Sequence, residues 1–309
     1  MKYITFLFAP LLAIVTIFAV SCSDNTNSMG PSSTTSDLTL SINGLTDLGP
    51  NAMYEGWIIV NGDPISTGKF SVDVNGDLSA TTFSLDQSDL NNATAFVLTV
   101  EPEPDPDPAP SNSHLMAGAF SSDVAALMVG NSAALGNDFT SATGSYILAT
   151  PTNGTESNED SGIWFLDISS GMPMMSLNLP TLPSGWMYEG WAVINGVPVT
   201  TGKFSSVDMS DENAPYSGTM PAPPFPGEDF LMNAPMNLTF PTNLSGATAV
   251  ITVEPDPDNS TSPFLLKPLV GMIPSQAMDH VDYTMNLNLS SFPTGSASRV
   301  SSSGNSGGY

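Results

Sequence analysis

The chain has 309 residues, of which 11% are charged and 40% hydrophobic, and its 30 acidic residues outweigh 5 basic ones to leave a net charge of −25. So acidic a surface repels phosphate backbones and anionic headgroups, which excludes nucleic acid as a partner, while the hydrophobic share is too large for a disordered polyelectrolyte. A single cysteine, Cys22, rules out internal disulfides and thiolate metal clusters.

In chain order, Lys2 precedes an apolar stretch over residues 3–20, broken by Pro10 and closing on Ser21 and Cys22, the layout of a secretory signal. The run Ala19-Val20-Ser21-Cys22 resembles a lipobox, the pattern at which bacterial lipoproteins are acylated and cut. The resemblance implies a signal peptide over residues 1–21 and lipid attachment, including palmitate, at Cys22. The mature chain would then hold to the membrane through its N-terminal lipid. Ser23 stands where an aspartate resembles an inner-membrane retention signal, so the outer membrane or the cell surface is the expected location. Residues 22–36 are Ser-, Thr- and Asn-rich and read as a flexible tether.

Period-two alternation follows at Leu38, Leu40 and Ile42, and again at Met175, Leu177 and Leu179 and at Met285, Leu287 and Leu289, which predicts strands with one buried face. A short helix is predicted over residues 123–129, after a cap at Ser122. Residues 294–309 read as a disordered tail.

Internal repetition organises the rest. Met53-Tyr54-Glu55-Gly56-Trp57 recurs as Met187-Tyr188-Glu189-Gly190-Trp191, and Thr67-Gly68-Lys69-Phe70-Ser71 as Thr201-Gly202-Lys203-Phe204-Ser205, both at an offset of 134. Thr99-Val100-Glu101-Pro102 recurs as Thr252-Val253-Glu254-Pro255 at an offset of 153, so the second copy carries about 19 extra residues between 208 and 243. Each copy holds a hairpin signal, Asn61-Gly62 and Asn195-Gly196. Pairing centred on Gly62 sets Glu55 opposite Lys69, and pairing centred on Gly196 sets Glu189 opposite Lys203, as cross-strand ion pairs. Tyr54 and Trp57, like Tyr188 and Trp191, fall on opposite strand faces, one in the core and the other near the surface. Glu101 and Glu254 read as hydrogen-bonded strand-end residues. The prolines at every second position of 102–108 hold that acidic stretch extended as a stiff connector.

Six to eight short strands per copy make the expected fold all-β, with two tandem β-sandwich-like domains at residues 37–170 and 171–293. The order of Tyr54-Glu55-Gly56-Trp57, Pro64 to Phe70 and Thr99-Val100-Glu101-Pro102, repeated at Tyr188 to Trp191, Pro198 to Phe204 and Thr252 to Pro255, resembles the C-terminal extracytoplasmic domain of anti-sigma-K factors. That resemblance implies β modules outside the cytoplasm and a link to envelope signalling. With only residues 23–37 between the cleavage point and the first strand, it implies no direct sigma-factor binding.

No catalytic constellation emerges. His114 and His280 have no second histidine at metal-ligand spacing, and a serine triad would have to use one of these two. The expectation is a non-enzymatic lipoprotein with no catalytic residues and no transition metal, binding an unidentified envelope protein or extracellular ligand; a surface spacer is the alternative. Calcium is the one cofactor left open, at the acidic clusters of residues 156–160 and 208–212.

Overall fold

The computed structural model of the chain describes residues 34–300 apart from 155, 156 and 259. The signal peptide, Cys22 and most of the tether lie outside the described residues. Strands in chain order are β1 (Thr35–Asn43), β2 (Ala52–Val60), β3 (Asp63–Phe70), β4 (Thr82–Asp86), β5 (Ala93–Pro102), β6 (His114–Ser121), β7 (Val124–Leu127), β8 (Ser145–Leu148), β9 (Gly162–Trp164) and β10 (Leu166–Asp167). They continue as β11 (Met174–Met175), β12 (Trp186–Ile194), β13 (Val197–Phe204), β14 (Gly227–Asp229), β15 (Thr248–Pro255), β16 (Leu269–Met272), β17 (Tyr283–Thr284), β18 (Asn286–Leu287) and β19 (Thr294–Arg299). One short helix, α1 (Gln87–Asn92), is capped by Asp86, whose carboxylate accepts the Ser88 amide at 2.8 Å. The fold is all-β and its strand pairs are antiparallel. Among the described residues no helix is long and apolar enough to cross a membrane.

The repeated hairpins form as their turns dictate. Asn61 and Gly62 have φ of 55° and 93°, and Asn195 and Gly196 have 51° and 83°, the two positive values that a two-residue type I′ turn needs. Next to the turn the pairs are Val60 with Asp63 and Ile58 with Ile65, but beyond it they are Gly56 with Gly68 and Glu55 with Lys69. One extra residue, Thr67, is thus accommodated as a bulge, and Thr201 is its counterpart in the second hairpin. The predicted pairing of glutamate with lysine holds because the bulge restores it.

Each hairpin extends into the same four-strand order, β3-β2-β5-β6 and β13-β12-β15-β16. The first runs on to an eight-stranded sheet, β3-β2-β5-β6-β7-β19-β1-β4. Its two edge strands approach through Phe70 and Phe83, ring centroids 6.1 Å apart, so the sheet nearly closes. The second order ends in β18, and a separate four-stranded sheet, β14-β9-β8-β17, accompanies it.

Connectivity departs from a simple tandem. The segment expected as a disordered tail supplies β19, which inserts between β1 and β7 of the first copy, Leu40 pairing with Ala297 and Ala126 with Ser296. Residues 301–309 lie outside the described residues. Strands β8 and β9, within the stretch assigned to the first domain, pair instead with β17 and β14. One buried cluster accordingly runs through both copies, with Tyr54 and Leu98 in the same core as Phe165 and Tyr188. The helix predicted at 123–129 is strand β7, since its apolar residues Ala125 and Leu127 alternate with exposed ones along an extended segment. The connector after β5 is not a spacer but a loop that folds back, so that the Ser111 amide reaches Glu101.

Candidate functional site

Period two along β5 puts Thr99 and Glu101 on one face, and the pairing of β2 with β5 brings Glu55 opposite Thr99. The Trp57 indole Nε1–H donates to Thr99 Oγ1 at 2.9 Å, and the Thr99 hydroxyl donates to Glu101. The Ser111 amide also donates to Glu101, 2.9 and 3.1 Å from its two oxygens, while Ser66 donates to Glu55. The second copy rebuilds this arrangement. Trp191 Nε1–H donates to Thr252 Oγ1 at 2.9 Å, the Thr252 hydroxyl donates to the Glu189 carbonyl at 3.3 Å, the Phe264 amide donates to Glu254 Oε1 at 2.9 Å, and Thr200 donates to Glu189 Oε1. Partner residues the sequence motifs did not single out, Ser66 and Thr200, Ser111 and Phe264, Asp105 and Asp258, obey the same offsets of 134 or 153, which is the signal that could have found them.

Tyr54 and Tyr188 lie on the other face, in the main core. Tyr54 stacks on Phe70 at 5.6 Å and donates to the Thr46 carbonyl at 3.0 Å; Tyr188 stacks on Phe204 at 5.5 Å and donates to the Pro180 carbonyl at 2.6 Å. Burial pushes both phenols above their ordinary range. Trp57 and Trp191, on the opposite face, are buried as well, at 3% and 1% exposure, so neither member of each pair lies near the surface as expected. In the first copy the covering is Val97, Ala117 and the loop residue Ala134.

The copies differ at the lysine. Lys69 Nζ lies 3.0 Å from Asp105, 3.8 Å from Glu103 and 4.0 Å from Glu55. Burial lowers this ammonium, but the bond to Asp105 and the charges of Asp105, Glu55 and Glu103 outweigh it and leave it raised. Burial also raises Glu55. A cleft opens here onto Glu55, Ser66, Lys69 and Asp105. In the second copy Lys203 sits opposite Glu189 in register, yet the expected ion pair is replaced: the ammonium donates to the backbone carbonyl of Asp258. Lys267 likewise donates to the Phe264 carbonyl at 2.6 Å. One oxygen each of Glu189, Glu254 and Asp258 lies within 4.8 Å of the others. Glu189 Oε2, Glu254 Oε2 and Asp258 Oδ2 are buried without a hydrogen-bond partner. Burial pushes Glu189 up to about 7, against the bond from Thr200 and the charge of Lys203, and pushes Glu254 up to about 8, with Glu189 and Asp258 repelling it.

A third set of carboxylates, which sequence reasoning missed, lies on the 208–243 insertion and β14. Asp229 accepts Trp164 Nε1–H at 2.8 Å and the Thr152 amide at 2.8 Å, and Glu228 accepts the Ser217 hydroxyl and the Asp229 amide at 2.9 Å. Of the acidic clusters considered for calcium, Glu159 accepts the Thr150 amide at 3.0 Å, Asp160 accepts Asn243, Asp211 accepts the Gly227 amide at 3.0 Å and Asp208 accepts Ser206. Glu156 lies outside the described residues. His114 meets the Ala133 carbonyl at 3.0 Å and His280 meets its neighbour Asp279 at 3.3 Å.

No protein family, curated protein or solved structure matches the chain.

Proposed function

We propose that this is a non-enzymatic lipoprotein, anchored through Cys22 at the outer membrane or cell surface, whose two repeat-bearing β modules bind or sense a partner outside the cytoplasm. The observation that carries the non-enzymatic reading is that the tryptophans, the tyrosines and Thr99 and Thr252, all shared by the repeats, are spent inward. Trp57 donates to Thr99 and Thr99 to Glu101, Trp191 donates to Thr252 and Thr252 to the Glu189 carbonyl, and the tyrosines stack into the core. Groups committed to interior bonds are poorly placed to meet a substrate, so the shared motif reads as scaffold, with variable loops left to contact a partner. The common four-strand order of the two hairpin regions supports reading each copy as one module, completed by strands exchanged between the copies.

The likeness of the repeats to the extracytoplasmic domain of anti-sigma-K factors supports a place in envelope signalling, without direct contact to a sigma factor. Capture from envelope extract with the full lipidated chain tests the binding reading. Enrichment of a discrete partner that is lost with a surface-scrambled variant is the expected result, and its absence would favour an inert spacer. Labelled palmitate should enter the wild type but not Cys22→Ala; label in the variant would remove the anchor. Turnover in a hydrolase screen, abolished by His114→Ala or His280→Ala, would overturn the non-enzymatic reading.

A further inference from the structure

The two copies of the glutamate network place their positive charge differently, and the difference leaves one of them incomplete. In the first copy an ammonium occupies the carboxylate cluster: Lys69 touches Asp105 and faces Glu55 and Glu103. In the second, the equivalent Lys203 and the nearby Lys267 both aim at backbone carbonyls, of Asp258 and Phe264. Neither forms a salt bridge among the described residues. Glu189 and Glu254 are 4% and 0% exposed, and each keeps one oxygen with no hydrogen-bond partner, as does half-buried Asp258. Leaving one buried carboxylate oxygen unpaired is costly, and one oxygen from each of these three carboxylates lies within 4.8 Å of the others, where mutual repulsion adds to the cost.

We propose that Glu189, Glu254 and Asp258 form a binding site for a hard divalent cation of the calcium class. The donors are all carboxylate oxygens, which suit calcium, magnesium or manganese and disfavour thiophilic metals. The site is built, not a chance cluster of flexible side chains. Glu254 is fixed on β15 by the Phe264 amide, and Glu189 is fixed on β12 by Thr200. Asp258 comes from the loop after β15, whose Ser260 amide donates to Asp258 Oδ1 at 2.8 Å. Two rigid strands and one adaptable loop match calcium's tolerance of irregular coordination better than magnesium's demand for an octahedron. In this arrangement the first repeat carries its own cation, Lys69, and the second recruits one from solution, independently of whichever partner the surface binds.

Terbium, a luminescent calcium surrogate excited through Trp191, reads this site in the full chain. The expected result is saturable terbium luminescence, displaced by calcium, that weakens by at least about tenfold in affinity in Glu254→Gln and in Asp258→Asn, because each removes one of three charged ligands. Asp208→Asn, on an exposed acidic loop, should leave it unchanged. Failure of calcium to displace terbium, or titrations of both ligand variants that superimpose on the wild type, would overturn the proposal. Circular dichroism of each variant establishes folding, and if Glu254→Gln does not fold, the loop variant Asp258→Asn decides.

Discussion

Two buried threonines of the second repeat, chemically identical and both 0% exposed, should respond oppositely to the same substitution. Thr201 is the bulged residue of β13. Its hydroxyl has no hydrogen-bond partner, and it faces Gly190, where any side chain would overlap it. A buried hydroxyl left unpaired costs about 1–3 kcal/mol, and valine replaces it with a methyl of nearly the same shape. Thr201→Val should therefore stabilise the protein by about 1 kcal/mol, a rise of roughly 2–4 °C in Tm for a chain of this size. Thr252, by contrast, accepts the Trp191 indole N–H and donates to the Glu189 carbonyl at 3.3 Å. Thr252→Val leaves a buried indole donor without its acceptor and removes the bond to the Glu189 carbonyl, at a combined cost of about 3 kcal/mol, or a fall of roughly 6–12 °C. Urea denaturation with unchanged slope, checked by thermal melts, measures both. A loss of stability in Thr201→Val, or a Thr252→Val variant as stable as wild type, would refute the hydrogen-bond assignment on which the twin network rests.

Arg299 donates to the carbonyls of Leu90 at 2.6 Å, Ala93 at 2.9 Å and Ser122 at 2.9 Å and stacks 4.5 Å from the centre of the Phe120 ring, so Arg299→Ala should lower stability by about 2–3 kcal/mol in urea titration. Removing residues 294–309 should cost more, because it strips β19 from β1 and β7, and hydrogen exchange should show both strands losing protection. Glu228 is fully buried beside Asp229, Asp211 and Tyr216, and burial pushes its carboxyl up to about 7. A raised carboxylate contributes stability that is present below the unfolded value and is lost as pH rises through the folded one. Stability should accordingly fall between about pH 4.5 and pH 7.5, with Glu228 accounting for at most about 3 kcal/mol, and Glu228→Gln should flatten that slope in pH-dependent melts. Gly190→Ala would drive a methyl into the Thr201 hydroxyl and to 2.7 Å from the Phe165 ring; a loss of about 2 kcal/mol or more is expected, and a melting temperature equal to wild type would deny the close approach.

The local features of this fold could be read before any tertiary contact was known. Asn-Gly fixes a two-residue turn because both residues tolerate positive φ, while the bulge at Thr67, which no sequence signal marked, shifts the turn's register by one residue and puts Glu55 opposite Lys69. Alternation at Leu38, Leu40 and Ile42 marks β1 because a strand half-buried on one face must repeat every second residue. Strand β19 had no such mark. Thr294-Gly295-Ser296-Ala297-Ser298-Arg299 buries only Ala297, and Gly295 is needed where it passes close to the Ser41 carbonyl and Ile42, so its place comes from two unpaired strand edges and not from its own hydrophobicity. The trade of β8 and β9 toward the second copy is non-local for the same reason: any strand of compatible length can satisfy a distant edge, and only the packed whole selects which one does. The site divides along this line as well. Glutamates, tryptophans and lysines were visible through repetition, whereas the aim of Lys69 at Asp105 and of Lys203 at a backbone carbonyl was settled by where each loop after β5 and β15 folds back. Repetition in sequence determined two copies of one interior network; the tertiary structure alone decided that one copy sets its own lysine among its carboxylates and that the other keeps three unpaired carboxylate oxygens.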